Sequence, residues 1–108
     1  MPKFLLHGRY NPAMVEALHA NGAASRVAAF TTGIGTVGGT VESIYWHSGG
    51  IESQVIADLP DAAAANSLML SLHRHATDGS WATVTRLFDA AEIDVALARN
   101  GDMRPPGA

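Results

Sequence analysis

Cysteine is absent from this chain, which removes disulfide frameworks and thiolate chemistry together. Long apolar runs are absent too. The longest is four residues, as in Ala62–Ala65, against the about 20 that a membrane-spanning helix needs. There is no surplus of positive charge: seven Lys and Arg stand against ten Asp and Glu, a net −3, which argues against a nucleic-acid footprint. The opening Met1-Pro2-Lys3-Phe4 has no apolar stretch of the secretory type, so a cytoplasmic address is expected. What is present is apolar content: 47% of 108 residues are hydrophobic and 16% charged, enough for one core and too short for two.

The pattern along the chain predicts strands at Lys3–Tyr10, Thr40–His47, Glu52–Leu59 and Trp81–Phe88, each rich in apolar, β-branched or aromatic residues. Asn11-Pro12 predicts a helix start, with Asn at the cap and Pro at the first turn, and Asn21-Gly22 a stop. A second helical piece begins near Ser25, with Val27, Phe30 and Ile34 on one side. Ser48-Gly49-Gly50 turns the second strand into the third as a hairpin. The four alanines lead into a helix reaching His75, and Asp89 caps a last helix, Ala90 to about Ala98. The expected order is βαββαβ plus a terminal helix: an α+β, ferredoxin-like domain over residues 1–98, followed by a flexible tail at 99–108.

Four antiparallel strands with both main helices on one face leave the other face to account for. Simple alternation assigns Leu5, Ile44, Trp46 and Ile56 to it, together with His7, Arg9, Glu42, Glu52 and Gln54. So much apolar area among charges is not expected to lie open to water, and a homodimer packed sheet to sheet is the expected solution.

Several motifs fail on context. Gly33-x-Gly35-x-x-Gly38 spells a dinucleotide fingerprint, but a helix precedes it and a strand follows, the reverse of what pyrophosphate binding needs. His73 and His75 are two apart on a helix and point opposite ways, so they do not chelate one ion, and no metal is expected. Their ordinary role is a basic helix end that suits the dipole. Ser43, Ser48, Ser53 and Ser67 lie in no nucleophile motif.

The mixed sheet face is the best-placed constellation. His7 and Arg9 share one face of the first strand, Glu42 and Trp46 of the second, Glu52 and Gln54 of the third, and Thr83 and Thr85 of the fourth. Converging across a dimer interior, they offer Arg9 as a bidentate anchor for a carboxylate or phenolate and Trp46 as a stacking platform. An imidazole at position 7 can move a proton near neutral pH. The plainer reading of the same residues is a salt-linked polar layer that stabilises the dimer.

The pieces Lys3–Tyr10 (KFLLHGRY), Asn11-Pro12, Gly38-Gly39 ahead of a strand with Glu42 and Tyr45, and Val55–Asp61 (VIADLPD) together resemble the GYD-domain family. The resemblance runs from Lys3 to about Ile93. Where the family generally has Gly-x-Tyr-Asp, this chain has Gly49-Gly50-Ile51-Glu52: the carboxylate is kept and the tyrosine is not. The connection from Arg74 to Ser80 is longer and more polar than is usual there. The resemblance implies a dimeric α/β barrel. Tyr45 is counted among the ligand contacts; the alternative for Tyr10 and Tyr45, both at family-matched positions, is to close the core. The function expected of the polar face is small-molecule handling with proton transfer and no cofactor, isomerase-like or as a cofactor-free oxygenase on an aromatic or conjugated substrate. The alternative is a non-catalytic ligand-binding or assembly module. A third reading takes the run His73-Arg74-His75 as similar to haem-degrading barrels, with a helix histidine on iron.

Overall fold

In the computed structural model, which describes residues 1–107, the chain runs β1 (Lys3–Arg9), α1 (Pro12–Asn21), α2 (Ala23–Gly35), β2 (Thr40–Trp46), β3 (Glu52–Asp58), α3 (Ala62–Arg74), β4 (Trp81–Leu87) and α4 (Ala90–Ala98). Ala108, the end of the expected tail, lies outside the described residues. The strands form one antiparallel sheet in the order β2-β3-β1-β4, with α1 and α2 making a single crossover. This is the ferredoxin-like α+β arrangement expected from the strand and turn pattern. No helix among the described residues is long and apolar enough to cross a membrane.

Helix starts follow side-chain chemistry. Asn11, itself buried, accepts a hydrogen bond from the Met14 amide at 2.9 Å, and Pro12 follows at the first turn. Its amide nitrogen donates to Thr77 and, at 3.1 Å, to the Asp78 carbonyl, so one residue starts α1 and ties down the polar α3–β4 connection. Asp61 caps α3, and Asp89 with Glu92 forms a capping box on α4.

One sheet face carries the core. Phe4 and Leu6 of β1 and Val55 and Ala57 of β3 pack against Ile34 of α2 and Ala64, Ala65 and Met69 of α3. Ile34, Val55 and Leu59 are the largest fully buried side chains, each worth about 1.5–3 kcal/mol of transfer free energy. Gly39 is dictated by this packing: a Cβ there would sit 2.5 Å from the Leu59 side chain and 2.8 Å from the Asp58 carbonyl.

The second strand departs from simple alternation. Val41 pairs with Ala57 but Ser43 pairs with Ile56, so Glu42 and Ser43 together oppose one residue in a β-bulge. Beyond the bulge every side chain changes face. Ile44 (opposite Val55) and Trp46 (opposite Ser53) therefore lie on the helix side, which corrects their expected place on the open face. Trp46 buries its indole N–H with no hydrogen-bond partner among the described residues. Ser43, Tyr45 and His47 take the open face instead. Tyr45 is 68% exposed there and does not close the core, whereas Tyr10 does, donating to Ser53 at 3.3 Å.

The last helix stands apart. None of its residues is buried, and Ile93, Val95 and Leu97 are all exposed. Arg86 holds its start, bonding Glu92 at 2.7 Å and lying 4.5 Å over the Phe88 ring.

Candidate functional site

The open face divides by chemistry along the strands. At one end Lys3 bridges Glu42 at 3.0 Å and Asp58 at 3.1 Å, and this pairing raises the Lys3 pKa, chiefly through Glu42 and then Asp58. Leu5 and Ile56, cross-strand partners, occupy the middle beside Ser43 and Thr85. At the other end β1, β3, β4 and the residue after β2 bring His7, Arg9, Glu52, Gln54, Trp81 and His47 together. Glu42 is thus excluded from that cluster: Lys3 and Arg9 stand at opposite ends of the seven-residue β1, about 20 Å apart.

Glu52 is the hub. Its Oε1 lies 2.9 Å from His7 Nε2 and 3.9 Å from His47 Nδ1, and its Oε2 lies 3.5 Å from Arg9. The backbone fixes these placements. Arg9 is the cross-strand partner of Glu52, and His7 the partner of Gln54. The His47 amide donates to the Glu52 carbonyl at 2.8 Å, closing the hairpin. Gln54 in turn bonds His47 Nε2 at 2.8 Å. Trp81, opposite Arg9 on β4, sets its ring edge-on to His7 with centroids 4.8 Å apart, and the His47 ring lies 5.1 Å from His7 on another side.

Of the residues expected to form a site, His7, Arg9, Glu52 and Gln54 gather here, with Thr83 alongside as the other cross-strand partner of His7. Tyr45 is the partner of Gln54 on β2, and Thr85 faces Leu5 further down. Trp46 does not belong to the set, and the indole beside His7 is that of Trp81. His47 and Trp81 were not expected. The available signal for His47 was the spacing of Val41, Ile44 and Trp46, three then two, which no regular strand can place on one face but a bulge can.

A cavity of about 220 Å³ lies at this end of the sheet on its helix side, between Leu6, Gly8 and Ala82 of the strands and Phe30 and Met69 of the helices; His7, Arg9 and Trp81 border it, whereas Glu52, Gln54 and His47 do not. Gly8 and Ala82, cross-strand partners with little or no side chain, leave that space unfilled. Arg26, stacked 4.2 Å over Phe30, supplies a second cation to its lining. His73 and His75 border it as well, but His73 Nε2 bonds the Ala82 carbonyl at 3.1 Å and joins α3 to β4. The volume is below the about 300–1,000 Å³ of sites for drug-sized ligands and suits a single ring.

No curated protein and no solved structure gives a significant match to the chain. The family model of the GYD domain does, over residues 4–97, from the first core residue of β1 almost to the end of α4. With the βαββαβ order and the family model both spanning nearly its whole length, the chain belongs to the GYD-domain family.

Proposed function

We propose that this protein handles a small anionic aromatic molecule at the His7–Arg9–Glu52 end of its open sheet face, and that it works as a homodimer. The observation that carries the reading is the hub on that face, where Glu52 lies 2.9 Å from the His7 imidazole and 3.5 Å from the Arg9 guanidinium. An imidazole hydrogen-bonded to a carboxylate is equipped to take a proton from a substrate and return it to another atom. Arg9 is half-exposed, and its one charged partner among the described residues is Glu52 at 3.5 Å, longer than a strong charge-assisted bond. Its guanidinium is therefore available to a ligand carboxylate or phenolate. Together these roles describe isomerase-like or cofactor-free oxygenase chemistry on an aromatic or conjugated substrate.

The dimer is inferred from two unpartnered apolar surfaces. Leu5, Ile56 and Leu87 lie on the open face, and α4 displays Ile93 and Leu97 one turn apart. A second copy laid over the sheet covers both and closes the cluster from bulk water. Titration with benzoate, followed by NMR, tests the ligand reading: the His7 and Trp81 ring resonances should shift in the wild type and stay fixed in Arg9→Ala. Benzoate shifts of equal size in Arg9→Ala would refute it.

The non-catalytic alternative has its own support, since Glu52 already engages His7, Arg9 and His47 within the chain. In that case the cluster is a polar layer of the interface, and removing Arg9 weakens the dimer.

A further inference from the structure

The geometry points to a divalent transition-metal site formed by His7, His47 and Glu52. One ligand atom from each, all three within 4.8 Å of one another, gives two imidazoles and one carboxylate. That donor set, with the remaining coordination positions open, is the one used for Zn²⁺ and for non-haem Fe²⁺. An ion about 2.0–2.2 Å from each donor sets its ligand atoms roughly 3–3.6 Å apart. Two of the separations, 2.9 Å for His7–Glu52 and 3.9 Å for His47–Glu52, bracket that range, so small side-chain rotations suffice to close on an ion.

Three features beyond the donors favour a metal. The ligands stand on a rigid frame: His7 within β1, Glu52 at the start of β3, and His47 fixed by its backbone bond to Glu52. Supporting groups stand beside the ligands. The Gln54 amide nitrogen reaches His47 Nε2 at 2.8 Å; turned about so that its oxygen takes that place, the amide would hold Nε2 as a donor and leave the Nδ1 lone pair toward Glu52. Arg9 sits against Glu52 Oε2, which leaves Oε1 to the ion. Access is also suitable, because the three side chains are 28%, 37% and 25% exposed, neither sealed nor free in solvent. A loaded site beside Arg9 carries net positive charge and selects an anionic oxygen ligand for its open positions. The inference shares the site proposed above without resting on it: with an ion bound, His7 gives its lone pair to the metal rather than moving a proton.

Calorimetric titration of the chelator-treated protein with Zn²⁺, together with NMR of the histidine rings, tests it. One Zn²⁺ per chain is expected, with the His7 and His47 ring resonances shifting and those of His19, His73 and His75 unmoved. His47→Asn and Glu52→Gln should each weaken binding about 100-fold or more, and His75→Asn should not change it. No Zn²⁺ binding, ring shifts at His73 and His75 instead, or affinity unchanged in both ligand variants would overturn the site. The wild-type ring shifts decide the matter even where a variant fails to fold. Benzoate binding without Zn²⁺ binding would remove the metal alone, and Zn²⁺ binding without benzoate binding would remove only the ligand reading.

Discussion

At the scale of single residues, the open face holds two ionic groups that differ in kind. Lys3 faces two carboxylates, and its folded-state pKa is raised by Glu42 first and Asp58 second. A raised pKa means that the stability it brings is fully present below the ordinary lysine value of about 10.4 and is lost as pH rises through the folded value. The melting-temperature difference between wild type and Lys3→Met should therefore be constant across neutral pH and shrink in strongly alkaline buffer, which thermal melts at stepped pH would reveal. Glu52 is the reverse case, one carboxylate facing three potential cations. Such a surplus of potential cations around one acid is what a bound anion would balance, and it sets this end of the face apart from the Lys3 end.

At the scale of elements, the helix ends and turns follow from local chemistry. Asn11 caps α1 and also holds the α3–β4 connection at Thr77 and Asp78. Asn11→Ala should cost about 2 kcal/mol, a lost cap plus two lost hydrogen bonds to the connection, measurable by urea denaturation. An effect under about 0.5 kcal/mol would show that the connection holds itself. Strand positions, both crossover helices, the Asn11 and Asp89 caps and the Gly49-Gly50 hairpin were legible in the sequence because each has a local signature. The faces of β1, β3 and β4 were legible too, since alternation holds there, and with them His7, Arg9, Glu52 and Gln54. The face of β2 was not. A bulge is set by how two strands pair, and Glu42-Ser43 carries no glycine or proline to announce it. That single extra residue exchanges Trp46 for His47 at the site. Trp81 was missed for a different reason: it is the first residue of β4, and only the β1–β4 register puts it opposite Arg9.

At the scale of the whole molecule, one layer of helices covers one side of the sheet, and the other side and the apolar residues of α4 are uncovered in the single copy. The extents of 52 × 35 × 26 Å show how unevenly a single copy is built. A second copy over the open face would bury Leu5, Ile56 and Leu87 and would turn the His7–Glu52 cluster from a surface patch into the wall of an enclosed site. What Arg9 serves then separates a ligand site from a structural layer. If it serves a ligand, its removal leaves Glu52 held by His7 at 2.9 Å and the interface intact. If it serves the interface, its removal unbalances a buried acid. The dimer dissociation constant of Arg9→Ala from sedimentation equilibrium separates the two most directly. A value within about threefold of wild type is predicted, and a weakening of tenfold or more, about 1.4 kcal/mol, would contradict the ligand site and make the cluster a structural layer.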